Sequence, residues 1–251
     1  MPGRVWIVMP TYNEAANMEP IARAVGAELE RSVGRDYRLL VVDDNSPDGT
    51  GEVADKLAAE LEWLEVLHRP GKQGLGHAYL AGFAHALSAG AELLIEMDAD
   101  FSHDPRFLPD LIEAARDADL VLGSRYIAGG GVRNWGLMRR AVSRGGGWYA
   151  RAVLGVPVHD LTGGFKCIRR EVLEAIELDT IRAEGYGFQI EVTYRALRAG
   201  FKVVEIPIVF ADRQAGASKM STQIALEAML LVPRLRGWTP AGSRQELGSR
   251  V

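Results

Sequence analysis

One cysteine, Cys167, stands in 251 residues, so no intramolecular disulfide framework is encoded and a reducing compartment is expected. Set among Phe165, Ile168 and Val172, it reads as a small buried thiol. No stretch approaches the ~20 apolar residues of a transmembrane helix. The opening residues lack the apolar core of a signal peptide, so none is expected. Motifs of the common nucleotide enzymes are missing too. There is no Gly-x-Gly-x-x-Gly after the first apolar strand and no Gly-x-x-x-x-Gly-Lys-Ser/Thr, which removes support for a hydride-transferring Rossmann enzyme or a P-loop NTPase. A Gly-x-Ser-x-Gly nucleophile elbow is likewise missing. The histidines (His68, His77, His85, His103, His159) show no zinc-like spacing, and His103, beside the carboxylates Asp98, Asp100 and Asp104, is the one of functional interest.

Acid is scarce in one place. From Leu120 to His159 there is no Asp or Glu, yet Arg125, Arg133, Arg139, Arg140, Arg144 and Arg151 fall there. That window carries +6 in a chain of net charge −4, so the remainder carries −10. An acidic protein, pI about 5.8, is a poor general nucleic-acid binder. A confined arginine-only segment fits a local anionic ligand such as phosphate or lipid headgroups, or else a solvated helix face.

The composition, 47% hydrophobic and 25% charged, is that of an ordinary globular protein of one large domain, taken as 1–236 with a tail at 237–251. Short apolar strands are expected at Val5–Met9 (stopped by Pro10), Tyr37–Val42, Leu64–Leu67, Leu93–Met97 and Leu120–Leu122. Helical stripes alternate with them: Met18, Ile21, Val25 and Leu29; Val53, Leu57 and Leu61; then 78–87 and 107–115. This alternation predicts a mostly parallel α/β sheet flanked by helices on both faces. Beyond Gly123 it lapses. A helix is expected over 187–199, a strand over 202–210 with Pro207 marking an edge, and an apolar helix over 224–235 interrupted at Pro233.

Polar clusters follow four of the strands: Pro10–Glu14, Asp43–Gly49, Arg69–Gly76 and Asp98–Asp104. In an open parallel sheet they would share one edge, where ligands bind. Asp98 and Asp100, two apart at a strand end, share a face and suit Mg²⁺ or Mn²⁺ completed by substrate phosphates. The alternative is an Asp-rich turn capping the next helix at Asp104-Pro105. Asp44 or Glu14 offers an acceptor for base or ribose, Pro10 and Tyr12 an apolar wall, and Lys72 with the helix start after Gly74-Leu75-Gly76 an approach to phosphate.

In combination and order, Val8-Met9-Pro10-Thr11-Tyr12-Asn13-Glu14, Val42-Asp43-Asp44-Asn45-Ser46-Pro47-Asp48-Gly49-Thr50, Gly74-Leu75-Gly76 and Met97-Asp98-Ala99-Asp100-Phe101-Ser102-His103 resemble the GT-A nucleotide-sugar glycosyltransferases. Gly123-Ser124-Arg125-Tyr126, Ser143-Arg144-Gly145, Asp160 to Phe165, Asp212-Arg213 and Ser218-Lys219 extend the match, more narrowly to the dolichyl/polyprenyl-phosphate mannosyltransferases. The resemblance implies a GT-A-like fold, GDP-mannose as donor, a polyprenyl phosphate as acceptor, a divalent cation and inversion at the anomeric carbon. Residue by residue it implies donor contacts from Pro10, Tyr12, Glu14, Asp44, Lys72, Gly76, Asp98 and Ala99. The metal would rest on Asp98, Asp100 and Ser102, the last standing where many relatives carry Gln. Arg125, Arg139, Ser143, Arg213 and Lys219 would hold the acceptor phosphate and donor diphosphate, with Asp98, Asp100 and Arg125 at the centre of the chemistry. Another donor such as UDP-glucose, or a silent nucleotide-sugar-binding module, would share many of these residues.

Attachment to the cytoplasmic face of a membrane is expected to be peripheral, through segments 133–154 and 221–235. In the first, Trp135, Leu137, Met138, Val142, Trp148 and Tyr149 alternate with arginines. A helix sealing the core is the other reading of the second segment.

Overall fold

The computed structural model describes residues 5–211 and 222–240. In chain order the strands and helices are β1 (Val5–Thr11), α1 (Ala15–Val33), β2 (Tyr37–Asp43), α2 (Thr50–Glu60), β3 (Leu64–His68), α3 (Leu75–Ser88) and β4 (Leu93–Glu96). After a short 3₁₀ turn at Pro105–Phe107 come α4 (Leu108–Ala114), β5 (Leu120–Ser124), β6 (Gly131–Val132) and α5 (Leu137–Leu154). The remainder is β7 (Lys166–Arg169), α6 (Arg170–Ala175), α7 (Tyr186–Arg198), β8 (Val203–Pro207), β9 (Val209–Phe210) and α8 (Thr222–Leu235).

Seven strands form one sheet in the order β3-β2-β1-β4-β7-β5-β8. All neighbours run parallel except β7, which is antiparallel to both β4 and β5. Because strand side chains alternate in direction, each strand feeds two cores. Trp6, Val8, Leu40, Val42, Leu94 and Leu122 meet α3, α6, α7 and the inner ends of α5 and α8. Val5, Ile7, Met9, Leu39, Val41, Ile95 and Val121 meet α1, α2 and α4 on the other face. Cys167 lies fully buried in that second layer, with its thiol pushed far above the usual range by burial.

This is the mostly parallel, helix-flanked sheet expected from the alternation of apolar runs, with local departures that have causes. Pro10 does not stop β1. It pairs in register with Val42, beyond the point where β4 ceases to flank β1 at Val8–Glu96, so its missing N–H leaves no ladder bond unmade on that side. The expected single strand over 202–210 is two, since Ile208 turns aside to donate its N–H to the Ser124 carbonyl. β9 then pairs with β6 in a small separate parallel sheet. Pro233 does not interrupt α8 either. A proline cannot donate to the carbonyl four residues back, and here the Tyr149 hydroxyl donates to that Met229 carbonyl at 3.0 Å.

The antiparallel β7 positions the site. It enters the sheet from the edge at which β1, β2, β4 and β5 end, so the loop Asp160–Phe165 arrives at the same edge as the carboxylates after β4. Close packing of α3 on β1 and β2 is set at Gly82, where a Cβ would fall 2.3 Å from Val8 Cγ1 and 3.0 Å from Val42 Cγ2. Gly82→Ala should therefore destabilise the protein by about 1–3 kcal/mol through overpacking. Gly146→Ala, in exposed helix with nothing within 4 Å, should be neutral or stabilising by up to about 1 kcal/mol. Urea denaturation of the pair reads the difference, and equal midpoints would contradict this packing.

Candidate active site

The ends of β1 and β2 are tied together first. Asp43 is buried and accepts from the Thr11 hydroxyl at 3.1 Å, the Ser46 N–H at 3.1 Å and the Ser46 hydroxyl at 2.6 Å. Asp48 accepts from the Thr50 hydroxyl and the Ala15 N–H, while Thr50 Oγ1 takes the Glu14 N–H at 2.9 Å. These bonds shape a wall in which Pro10, Tyr12 and Glu14 stand beside Asp44. The Glu14 carboxylate accepts from the Asn17 amide, and Lys72 lies over the Tyr12 ring at 4.4 Å. Asp44 is held by Arg69, whose Nη1 donates to it at 2.5 Å. Burial pushes the Asp44 carboxyl up from its ordinary value against the opposing pull of Arg69. Sequence reasoning noted Arg69 only as the start of a loop. Its place directly after β3, whose His68 pairs with Asp43, is the signal that puts it there.

The helix start after Gly74 is also occupied from within. The Glu184 carboxylate accepts the Gly76 N–H at 2.9 Å and bonds the His77 ring. Gly74 takes φ +111° and has no room for a side chain, because a Cβ would meet Glu184 Oε2 at 2.2 Å. A carboxylate at a helix N-terminus takes the position an anionic ligand would favour. Gly76 thus reaches Glu184, an acid that the motif reading did not single out.

At the end of β4, the two readings of the acid cluster divide between residues. Asp104 does cap the following turn, accepting the Arg106 N–H at 3.0 Å with Pro105 next to it, and Arg106 holds its carboxyl below the usual range. Asp98 and Asp100 take no part in that cap, although Asp100 makes an Asx turn of its own. Asp100 is 2% exposed and accepts the Ser102 N–H at 3.0 Å. Asp98 is half-buried, 3.4 Å from the Tyr79 hydroxyl, and its N–H donates to His103 Nδ1 at 3.0 Å. That bond makes His103 Nδ1 an acceptor, and the ring stacks on Phe165 at 4.8 Å. Ala99 is buried between the two acids. Phe101, the residue after Asp100, takes φ +61°, a conformation costly for an aromatic side chain. Ser102 is 1% exposed, and its hydroxyl finds no partner among the described residues.

Below this loop Glu96 and Lys166 are fully buried, 4.0 Å apart, across the β4–β7 pairing. Burial raises the Glu96 carboxyl to about 6 and lowers the Lys166 amine to about 8, each opposed by its partner. Lys166 also donates to the Gln189 carbonyl at 2.9 Å.

The basic side follows β5. Arg125 is 6% exposed and forks onto Asp160, with Nε and Nη2 each 2.7 Å from a carboxylate oxygen, while its backbone N–H adds a bond of 2.9 Å. Nη2 also reaches the Thr162 hydroxyl at 2.9 Å. The guanidinium is therefore engaged by the protein, where the motif reading gave it to substrate phosphate. Arg139 and Ser143, four residues apart, share a face of α5. Arg139 lies 4.1 Å over the Trp135 ring, and the Tyr126 hydroxyl donates to Ser143 Oγ at 2.6 Å. Arg213 and Lys219, with Asp212 and Ser218, lie outside the described residues.

Tyr186, at the first position of α7, links the two sides. Burial raises its phenol, Arg125 and Arg139 oppose that, and Tyr126 and Asp98 add to it, so all four lie within electrostatic reach. Asp98 and the arginines of the basic side therefore share one electrostatic neighbourhood. Tyr186 escaped the motif reading; the Gly185-Tyr186-Gly187 step opening a helix is its only mark in the sequence.

The sequence model of glycosyl transferase family 2 matches residues 6–177. The undecaprenyl-phosphate mannosyltransferase of Micrococcus luteus is 46% identical over 249 residues, 99% of each chain. The polyprenol monophosphomannose synthase of Mycolicibacterium smegmatis is 48% identical over 231 residues, 91% of this chain and 85% of that one. Among solved structures, glucosyl-3-phosphoglycerate synthase from Mycobacterium tuberculosis shares the fold with TM-score 0.68 at 20% identity, covering 96% of this chain and 82% of its own. A Pyrobaculum calidifontis mannosyltransferase in complex with GDP-Man and Mn²⁺ does so with TM-score 0.57 at 16% identity, covering 99% and 80%.

The geometry assigns Arg125 and Arg139 opposite mechanical roles. Asp160→Asn leaves Arg125 buried without its counter-charge and should cost about 3–5 kcal/mol of stability. Arg139→Ala, on a half-buried helix face, should cost under about 1 kcal/mol. Guanidinium unfolding of both variants tests this; an Asp160→Asn protein as stable as its parent would show that Arg125 does not need the pair.

Proposed function

The chain belongs to glycosyl transferase family 2 and is a glycosyltransferase, and from that premise we propose that it transfers mannose from GDP-mannose to a polyprenyl monophosphate. The observation that carries the reading is the convergence, at one edge of the sheet, of the Asp98 and Asp100 carboxylates after β4 with the arginine-bearing segment after β5 that the Arg125–Asp160 fork anchors. One side suits a nucleoside diphosphate and its metal, the other a second phosphate. The names of the two relatives narrow the sugar to mannose and the acceptor to a polyprenyl phosphate. The donor reading is supported by the GDP-Man held by the Pyrobaculum protein.

The residues after β4 fit a hard divalent cation, Mg²⁺ or Mn²⁺. Asp98, Asp100 and the orphaned hydroxyl of Ser102 are oxygen donors at one strand end. No group of three or more His, Cys, Asp or Glu able to hold an ion occurs among the described residues, so diphosphate oxygens and water would complete the shell. Bound there, the cation would neutralise charge developing on the leaving diphosphate.

The protein's own groups have defined tasks. Near neutrality a phosphate monoester, with second pKa near 6, is largely a dianion and needs no strong general base. One of its oxygens forms the new bond to the anomeric carbon as the bond to the diphosphate breaks on the opposite side, inverting the centre and releasing GDP. Arg139 holds the incoming phosphate by charge. Ser143, whose oxygen already accepts from Tyr126, has its own hydrogen to donate to that phosphate. Positioning and charge neutralisation carry the rate.

Meeting such an acceptor needs contact with lipid, yet no helix among the described residues is long and apolar enough to cross a membrane. Support for peripheral contact comes from α5. Leu137 is 84% exposed, Met138 78%, Val142 56% and Trp148 72%, and Met229 and Leu230 of α8 extend the patch. Arg140 and Arg144 are exposed on the same helix. Apolar side chains interleaved with cations match the headgroup region of an anionic bilayer.

Two measurements test the proposal. Asp100→Ala should lower mannosyl transfer on the order of 100-fold or more with the fold retained, and chelation of divalent ions from the parent should do the same reversibly. Normal turnover in either case would remove the metal reading. Replacing Leu137, Met138 and Trp148 together by Ser should abolish binding to anionic vesicles, and binding by the parent should weaken as salt rises. Transfer to a short water-soluble prenyl phosphate should be nearly unchanged, so equal losses on short and long acceptors would take this face away from the membrane.

A further inference from the structure

The three oxygen donors assigned to the cation lie within one short turn, and a single hydrogen bond closes that turn. Just beyond β4, Met97 donates its N–H to the Val8 carbonyl of β1 at 3.2 Å. The next backbone donor, the Asp98 N–H, goes to a side chain instead, reaching His103 Nδ1 at 3.0 Å. Asp98, Asp100 and Ser102 all stand between the two ends of that bond. Inside it the Asp100 carboxylate takes the Ser102 N–H at 3.0 Å, and Phe101 holds a left-handed φ of 61°. Such a backbone persists only where its surroundings hold it.

His103 is itself held on both sides. It is 2% exposed, its ring stacks on Phe165 at 4.8 Å and 11°, and the Phe210 ring meets it edge-on at 5.5 Å and 78°. Both neighbours are pinned by their backbones. The Phe165 carbonyl accepts the Gly123 N–H of β5 and the Phe210 carbonyl accepts the Arg133 N–H, each at 2.8 Å. Phe210 also meets Trp135 at 5.5 Å. That indole is 6% exposed, so Trp135 lies inside and not on the lipid-facing surface expected of its segment. The imidazole thus joins the turn after β4 to the entry of β7 and to β9.

The other four histidines differ, since they stand at the surface and each faces a carboxylate. A ring nitrogen has one lone pair, and at His103 Nδ1 the Asp98 N–H uses it. That nitrogen is therefore neither a metal ligand nor a proton acceptor, and the ring carries its hydrogen on Nε2.

We infer that His103 is a positioning residue of the acid site: by accepting the Asp98 N–H, and with its ring seated between Phe165 and Phe210, it fixes the backbone from which Asp98, Asp100 and Ser102 present their oxygens. This rests on the reading of those three residues as cation ligands. Mg²⁺ and Mn²⁺ sites with few protein ligands depend on where those ligands are held, and the groups that orient them contribute to affinity without touching the ion.

The test separates the hydrogen bond from the packing. His103→Phe keeps a ring for the stack but has no acceptor, whereas His103→Asn carries an oxygen where Nδ1 stood but has no ring. Mn²⁺ binding in the presence of GDP, read by the free-ion EPR signal, should weaken on the order of tenfold or more in His103→Phe and be largely restored in His103→Asn. Melting temperatures should rank the other way, with His103→Asn the lower, because it leaves two aromatic rings without a partner. Mannosyl transfer should follow the Mn²⁺ affinity and not the stability. In the parent, ¹⁵N-labelled histidine should show His103 with its hydrogen on Nε2, the resonances being assigned by their loss in His103→Asn. That measurement decides even where His103→Phe does not fold. An unchanged Mn²⁺ affinity in His103→Phe, affinities that track the melting temperatures, or a hydrogen on Nδ1 in the parent would each overturn the inference and leave the proposed reaction standing. A parent that transfers mannose at full rate without any divalent ion would remove the cation reading itself, and the inference with it.

Discussion

The basic half of the site hangs on one buried ion pair. Arg125 leaves the sheet at the end of β5 and Asp160 precedes the return through β7, and between them the chain makes its long excursion through β6 and α5. The fork between their side chains, with the extra bond from the Arg125 N–H, closes that excursion across 35 positions. Glu205 of β8 fixes the same point from the other side, accepting the N–H groups of His159 and Asp160 at 2.9 Å each. A buried pair is weak evidence for stability, since apolar replacements often do as well. Its value here is register. With Asp160 fully buried and every contact directional, the two ends of the excursion are held at the same sheet edge as the carboxylates after β4.

A second regularity is that the ligand-facing charges are already answered from within. Asp44 has Arg69, the α3 N-terminus has Glu184, and Arg125 has Asp160. Under the proposed function, a nucleotide entering beside Tyr12 would exchange with Arg69 and a phosphate near Gly76 would exchange with Glu184. Internal partners of this kind lower the cost of an empty charged cleft. They also make net binding the difference between two sets of contacts, which favours ligands offering several good contacts at once over those offering one.

Much of this arrangement was legible in the sequence, and the parts that were not share a cause. Element order, the parallel sheet and the clustering of four polar loops on one edge follow from local patterns, because a buried strand and an amphipathic helix each write their period into the chain. Pro10 and Pro233 were misread as breaks because the compensation is tertiary: a missing neighbour strand for one, the Tyr149 hydroxyl for the other. Trp135 was placed on the surface because its neighbours in sequence, Leu137 and Met138, are there, and a single positive-φ residue at Asn134 reverses its direction. Arg125 carries the family motif, but nothing local shows that its partner is an acid 35 residues on. Pairings at such separations leave no periodic trace.

The geometry of α5 ties the chemistry to the surface that would receive a lipid. An 18-residue helix is about 27 Å long, and its residues divide by face within the first two turns. Ser143 turns toward Tyr126 and Arg139 over the Trp135 ring, while Leu137, Met138 and Val142 turn to solvent. On the proposed reading, a phosphate held at Arg139 is therefore within two helical turns of an exposed apolar face, and a prenyl chain leaving that phosphate meets Leu137, Met138 and Val142 first. Trp148 lies about three turns from the helix start, where an interfacial ring suits the headgroup level, and the bond between Tyr149 and α8 brings Met229 and Leu230 alongside. One helix thus sets both the depth at which the protein would sit on a bilayer and the point at which the phosphate would leave it. A shift of α5 along its axis would move both together.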